Sequence, residues 1–309
     1  MPSENEKKGV IFSLERYAIY DGPGIRSIVF LKGCPLNCLW CQNPEGKETR
    51  PQLMFFSDKC TGCARCASVC PNEAVNMVEG KSSVNRDKCQ QCFKCVEVCP
   101  NEARQITGRI VGCEEIMAEV MKDKAFYRRS GGGITLSGGD PLMQPDFAAE
   151  ILRQCKEKDI HTTVETSGFA DYNDFINVLK YTDFLYCDIK HMNSKEHKAG
   201  VGVGNEIILD NLKKISRNVT LNDMSLVVRV PVVPGYNDSK RNIFDTVAFA
   251  RELKKVHKIE LLPYNKLGVL KYERLGKKYM LPDIDIPAQE SLNELKEMVE
   301  ACNIECEVL

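Results

Sequence analysis

Three groups of cysteines carry the chemistry of this chain. Cys60-x2-Cys63-x2-Cys66-x3-Cys70-Pro71 recurs as Cys89-x2-Cys92-x2-Cys95-x3-Cys99-Pro100, and the Asn-Glu-Ala that follows each proline recurs with it. This is the spacing of a two-[4Fe–4S] module, in which the fourth cysteine of each run serves the other cluster. The pattern predicts one cluster on Cys60, Cys63, Cys66 and Cys99, and a second on Cys89, Cys92, Cys95 and Cys70. Two zinc ions would also use eight thiolates, but an x2-x2-x3-Pro spacing present twice argues for iron and sulfur. The third group, Cys34-x3-Cys38-x2-Cys41, has no fourth cysteine or histidine nearby. Three thiolates hold three irons of a cubane and leave the fourth open to a chelating small molecule. On spacing alone, a zinc ion completed by a distant residue is the alternative.

These eleven cysteines are part of sixteen. Cys113, Cys155 and Cys187 read as small buried hydrophobes. Cys302 and Cys306 read as lying across a helix–strand junction. A chain without a secretion signal is expected in a reducing compartment, where clustered cysteines bind metal rather than pair. His161, His191, His197 and His257 show no metal spacing and read as strand-edge or surface residues. The charged run 251–258 reads as a solvated helix face.

With 309 residues the chain has room for about two domains. A net charge of −1 leaves no electrostatic footprint for nucleic acid or an anionic membrane. The first eight residues are polar, and no apolar run approaches the roughly 18 residues of a spanning helix. A soluble, cytoplasmic protein is expected, with neither nucleic acid nor membrane as partner.

The elements that must position the cysteines are strands alternating with helices. Apolar, β-branched runs at 27–31, 134–137, 162–165, 184–188, 226–230 and 259–262 read as buried strands. Between them Phe147, Ile151 and Cys155 recur at helical spacing. Leu292, Leu295, Met298, Val299 and Cys302 form a later stripe behind Pro287. Such alternation implies a parallel sheet. The predicted fold is an α/β, partial (β/α)6 barrel with a small cluster-binding domain inserted after its first unit. The expected boundaries are 10–48 and 105–309 for the barrel and 51–104 for the insertion. Active groups are expected at the carboxyl ends of the strands.

Further motifs narrow the chemistry. The triplet Cys34, Cys38, Cys41 resembles that of the radical S-adenosylmethionine (SAM) superfamily, and Gly131 to Pro141 resembles that family's segment against which the SAM amino group binds. Asp21-Gly-Pro-Gly-Ile-Arg26, Cys41-Gln42-Asn43, Glu165 to Phe169, Asp188-Ile189-Lys190, Val232 to Gly235 and Leu261 to Tyr272 resemble the activating enzymes of glycyl radical enzymes, over about Gly9 to Val308. The insertion resembles the subgroup of those activators with an added ferredoxin-like, two-cluster domain.

The resemblance implies three [4Fe–4S] clusters and SAM. It makes Cys34, Cys38 and Cys41 the ligands of the SAM-cleaving cluster. The SAM contacts it implies are Trp40, Cys41, Gln42, Gly138, Gly139, Asp140, Asp188, Ile189, Lys190, Arg229 and Asn265. It places a monovalent cation at Glu165, Thr166, Tyr186 and Asp188, and partner contacts at Asp21 and Arg26. The implied reaction is reductive cleavage of SAM, the 5′-deoxyadenosyl radical then taking an α-hydrogen from a glycine of a partner enzyme. A flavodoxin- or ferredoxin-type donor would supply the electron. The chain departs from the pattern at Asp140, where many members have glutamate, at Asn265, where histidine occurs, and at Glu165, where aspartate occurs. Two rival readings are a radical SAM enzyme acting on a small molecule or peptide, and an iron–sulfur electron carrier that turns over nothing.

Overall fold

The six apolar runs become neighbouring strands of one sheet in the computed structural model, which describes residues 7–221 and 223–309. Most of the polar amino-terminal stretch, residues 1–6, lies outside the described residues. The strands are β1 (Lys8–Ala18), β2 (Arg26–Leu31), β3 (Gln52–Phe55), β4 (Val75–Val78), β5 (Lys81–Val84), β6 (Arg104–Thr107), β7 (Arg109–Gly112), β8 (Gly133–Gly138), β9 (His161–Thr166), β10 (Phe184–Asp188), β11 (Ser225–Val232), β12 (Val256–Pro263) and β13 (Glu305–Val308). The main sheet has nine strands in the order β13-β12-β11-β10-β9-β8-β2-β1-β7. From β2 to β13 every pairing is parallel. At the other edge β1 runs antiparallel to both β2 and β7. The arrangement is consistent with a partial (β/α) barrel.

Helices return the chain between the parallel strands, and their apolar stripes close the core. In the helix Pro145–Lys156, Phe147, Ile151 and Cys155 are buried as their spacing requires. They pack in one cluster with Leu136, Val164, Leu185, Leu226, Val228 and Leu261 of the sheet. Each such side chain contributes about 1.5–3 kcal/mol on leaving water. Leu292, Leu295 and Val299 seat the helix Gln289–Glu300 in the same cluster. Cys113, Cys155 and Cys187 are buried in it, as expected. No helix among the described residues is long and apolar enough to cross a membrane.

Two expectations need correction. The charged run 251–258 is not one helix face. The helix Lys240–Glu252 stops at Leu253, whose backbone is extended, and β12 begins at Val256. Within β12, Lys258 is fixed between Glu260, 2.6 Å away, and Glu307, 2.7 Å away. Nor are all four histidines at strand edges or the surface. His197 is buried in the helix Ser194–Val201, where its Nδ1 lies 2.7 Å from the Val203 carbonyl oxygen. His191 is buried against the Tyr236 ring.

The cysteine-rich segment stands between β2 and β7. Its neck is the antiparallel pair β3–β6, running from Gln52 opposite Thr107 to Phe55 opposite Arg104. The pairing thus extends three residues beyond the expected boundary at 104. Within it the two cysteine runs fold alike, because their sequences repeat. Each has a left-handed residue before a one-turn helix, Ala64 before Arg65–Ser68 and Phe93 before Lys94–Glu97. Each again has a glutamate at positive φ, Glu73 and Glu102. A β4–β5 hairpin separates the two halves.

Candidate functional site

The carboxyl ends of the parallel strands gather the motifs on one edge of the sheet. β2 leads into the cysteine loop, β8 into Gly139-Asp140, β9 into Ser167-Gly168, β10 into Ile189-Lys190 and β12 into Tyr264-Asn265. The loop on β2 and the turn on β8 are stitched together by backbone bonds: Gly139 N–H donates to Leu31 (2.8 Å), Asp140 N–H to Gly33 (2.7 Å) and Gly33 N–H to Gly46 (2.7 Å). This close approach is why glycine stands at 138 and 139. Gly138 has φ +117°, and a Cβ there would lie 2.4 Å from the Leu31 backbone. At Gly139 it would lie 2.2 Å from the Gly33 oxygen.

Cys34, Cys38 and Cys41 are partly buried beside an apolar group made of Leu36, Trp40, Val201, Val233, Tyr264, Tyr272 and Tyr279. Burial pushes all three thiols up, Cys38 to about 11. At Cys34 the Asp140 charge adds to the effect. At Cys38 the Lys190 charge opposes it, and at Cys41 that of Lys47 does. Lys47 also braces the loop, donating to Asn37 Oδ1 (2.7 Å) and to the Cys38 carbonyl (3.2 Å). The donor set fits an iron–sulfur cubane: three thiols on one short loop, with lysine charges beside them to favour thiolates.

The remaining expected contacts fall into two groups. Lys190 is buried and sits 2.6 Å from Asp188 Oδ2. Burial works against its charge, but Asp188 and then Cys38 outweigh that and raise its pKa. Ile189 is buried, its N–H held by the Arg229 carbonyl at 2.9 Å. Gln42 is exposed and Asn265 half-buried. Trp40 is buried with its ring 4.9 Å from that of Tyr236.

Asp140 and Arg229 face inward to the protein instead. The Asp140 carboxylate, 1% exposed, accepts bonds from Ser167 Oγ (2.6 Å), Thr166 Oγ1 (2.7 Å), Ser167 N–H (2.9 Å) and Leu142 N–H (3.0 Å). It ties the β8 turn to the β9 turn and so fixes the Gly138-Gly139 backbone. The Arg229 guanidinium bonds Glu165 (2.6 Å), Glu260 (2.7 Å) and the Tyr20 carbonyl (3.2 Å), and lies 3.3 Å above the Tyr186 ring. The four residues expected around a cation lie on the paired strands β9 and β10, and each side chain is engaged by another group. Glu165 is shared between Arg229 and Ser137, Thr166 donates to Asp140, Tyr186 lies beneath Arg229, and Asp188 pairs with Lys190.

Arg26, expected at a partner surface, is wholly buried. It donates to Thr135 Oγ1 (2.7 Å), the Pro23 carbonyl (2.8 Å) and the Ile134 carbonyl. Its work is to fold the 19–25 turn back onto β8. The side chains that stand out from that turn are Ile19, Tyr20 and Pro23. Asp21 is half-buried there, and burial, then the Glu165 charge, push its carboxyl up to about 6. A carboxyl raised on folding binds its proton more tightly in the native state. It therefore supports folding at low pH, and that support is lost as pH rises from about 4 through about 6. Asp21→Asn is expected to raise stability by about 1–2 kcal/mol at pH 7.5, allowing for solvent screening. The gain should disappear below about pH 4. Denaturant unfolding at both pH values checks this, and equal stability at pH 7.5 counts against it.

In the inserted segment the cysteines line two hollows. One is lined by Cys60, Cys63, Cys66 and Cys99. The other is lined by Cys70, Cys89, Cys92 and Cys95. Backbone N–H groups point at the sulfurs at the same offset in each run, Ala74 to Cys70 and Ala103 to Cys99, both 3.2 Å. A cubane holds its four thiolates further apart than one tetrahedral ion does. Four cysteines drawn from both runs around each hollow suit a cluster. Sequence reasoning missed Arg104, which is buried at the neck, 3.9 Å from Cys95 Sγ and 3.1 Å from Ser82 Oγ. It also missed the buried Lys32, which joins the Glu45 carbonyl to Gln52 Oε1 (3.3 Å). A lone arginine or lysine carries no periodic signal.

Comparison with known proteins agrees with this geometry. Residues 28–247 match the model of the radical SAM superfamily. The indoleacetate decarboxylase activating enzyme of Tractidigestivibacter scatoligenes is 38% identical over 99% of each chain. The isethionate sulfite-lyase activating enzyme of Oleidesulfovibrio alaskensis is 39% identical over 94% of each. Streptococcus suis SuiB bound to precursor peptide SuiA shares the fold, with TM-score 0.53 and 14% identity over 94% of this chain and 49% of that one.

Proposed function

The chain belongs to the radical SAM superfamily and, within it, to the activating enzymes of glycyl radical enzymes, and from that premise we propose that it installs the radical on a glycine of a partner enzyme. The observation that carries the reading is the stitching of the Cys34–Cys41 loop to the Gly138–Asp140 turn at the carboxyl edge of the sheet. When bound, the cluster and SAM supply the chemistry: one electron cleaves SAM reductively to methionine and a 5′-deoxyadenosyl radical, which takes the glycine α-hydrogen.

The chain's own residues bind and orient. Cys34, Cys38 and Cys41 hold the cluster, and Lys47 and Lys190 favour their thiolate forms. The backbone of Gly138 and Gly139, fixed by Asp140, receives the methionine end of SAM. Lys190 and Asp188 present an ammonium and a carboxylate to complementary groups there. Trp40, Gln42, Ile189 and Asn265 complete the pocket. Arg229 sets the β9–β11–β12 face and, through Tyr20, the 19–25 turn. A monovalent cation at Glu165, Thr166, Tyr186 and Asp188 would have to displace the contacts Arg229, Ser137 and Lys190 now make. The partner's glycine loop enters beside the exposed Ile19 and Tyr20, with Asp21 next to them.

The inserted segment forms a ferredoxin-like domain with two further [4Fe–4S] clusters, on Cys60, Cys63, Cys66 and Cys99 and on Cys89, Cys92, Cys95 and Cys70. It passes electrons from a flavodoxin- or ferredoxin-type donor in the cytoplasm. The relatives named above activate a decarboxylase and a sulfite-lyase, so what this group of proteins recognises in common is the glycine loop rather than a small substrate.

The test is direct. The reconstituted protein, SAM and a strong reductant are mixed anaerobically with a glycyl radical enzyme encoded beside its gene. An EPR doublet, split by the remaining α-hydrogen of glycine, is expected together with 5′-deoxyadenosine. Intact, reduced clusters that yield neither product would reject the function.

A further inference from the structure

The motif ending in Tyr272 contributes a side chain that the reaction described above leaves unused. Tyr272 lies in the helix Val269–Arg274, is 4% exposed, and its hydroxyl has no partner among the described residues. Its neighbours are satisfied: the Tyr264 and Tyr279 hydroxyls bond one another at 2.8 Å, and Tyr279 meets the Tyr272 ring edge-on with centroids 5.2 Å apart. A buried phenol donor left without an acceptor is costly, so an acceptor is to be expected beside it.

That acceptor has two candidate positions. The helix is fastened to the cysteine loop on both sides of its first turn. A Cβ on Gly268 would lie 2.7 Å from the Cys41 oxygen and 3.0 Å from Gln42 Cα, so the two backbones touch. Lys271 reaches Asn43 Oδ1 at 2.8 Å and Glu45 Oε1 at 2.7 Å. Tyr272 packs in the same apolar group as Cys34, Cys38 and Cys41. After burial, the charge felt most strongly at its hydroxyl is that of Cys41. The second candidate is Glu45 Oε2, also buried and unpartnered. Glu45 is already answered by Lys271, whereas an anionic cluster at Cys41 has no free hydroxyl but this one in the apolar group: Tyr264 and Tyr279 bond one another and Tyr236 donates to the Glu196 carbonyl at 3.1 Å.

Resting on the activating-enzyme reading, we infer that Tyr272 donates a hydrogen bond to the Cys41 side of the SAM-binding cluster and so raises its reduction potential. A donor to cluster sulfur favours the more negative, reduced form. The same helix joins the inserted segment: Arg86 donates to the Arg274 carbonyl at 3.0 Å, and Arg274 stacks over Phe56 at 4.4 Å. The tuning residue therefore stands on the element that links the neck of the insertion to the cysteine loop.

The test is Tyr272→Phe in the fully reconstituted protein. The SAM-dependent change in the EPR signal identifies the relevant cluster, and its potential is followed by redox titration. Unchanged iron content, a shift to lower potential and a several-fold loss of 5′-deoxyadenosine at limiting reductant, restored by excess strong reductant, are expected. An unchanged potential overturns the inference, and a lowered melting temperature with it would assign the hydroxyl to Glu45. If SAM perturbs no cluster signal in the unsubstituted protein, the activating-enzyme reading itself fails, which separates the two.

Discussion

Cys38→Ala is expected to lose at least about a thousandfold in SAM cleavage, equivalent to roughly 4 kcal/mol of barrier, and to leave no glycyl radical on the partner. Cys38 is the middle cysteine of the group that follows β2 at the sheet's carboxyl edge. Its thiol is the one on which the buried Lys190 acts most strongly after burial itself. Alanine removes a ligand that no nearby cysteine or histidine can replace. The loop's apolar packing of Leu36, Trp40 and Val201 stays, so the fold should persist. Iron should fall by about four per chain while the clusters of the inserted segment remain. Iron analysis, EPR and chromatography of 5′-deoxyadenosine check each part. Undiminished 5′-deoxyadenosine formation would show that the cleaving cluster is elsewhere.

Arg229→Met is expected to cost about 3–5 kcal/mol of stability, because removing one member of a buried ion group leaves its partners charged and unpaired. The Arg229 guanidinium stands between Glu165 and Glu260 and above Tyr186, and Glu260 is 2% exposed. Lys258 remains on the far side of Glu260 at 2.6 Å, so the larger loss falls at Glu165. Arg229→Lys keeps the charge but not the planar fork that reaches two carboxylates and a carbonyl at once, and should recover only part. Adding Glu165→Gln to Arg229→Met should also restore part of the loss, because it removes the carboxylate left without a cation. Anaerobic denaturant unfolding of the holoprotein measures all of these. A loss below about 1 kcal/mol for Arg229→Met would show that water reaches the two carboxylates.

Much of this molecule was legible in order along the chain. Phe184–Asp188 is a strand at the residues where its apolar run places it. The helix carrying Phe147, Ile151 and Cys155 buries those side chains. Parallel strands buried on both faces read as continuous apolar runs, which is why the central six stood out. The outer strands did not. β1 carries exposed and half-buried residues over most of its length, and β13 has four residues, two of them glutamates. β13 is held by pairing with β12, and β1 by pairing with the distant β7 as well as with its neighbour β2, contacts that no local apolar run records. The charged run 251–258 misled for a related reason: its composition does not mark where the helix gives way to β12.

What the sequence by itself determined is the pattern that points to the chemistry: which cysteines stand together, in what spacing, and which family their neighbours resemble. Ligand identity depends on residue type and short spacing, and both are local. What only the tertiary structure decided is where the charged side chains point. It turned Arg26 and Arg229 inward, set Asp140 to bracing a turn, and left the Tyr272 hydroxyl without a partner beside the cysteine loop. These outcomes depend on which strands lie side by side, and on the cost of burying a charge or a donor away from its complement.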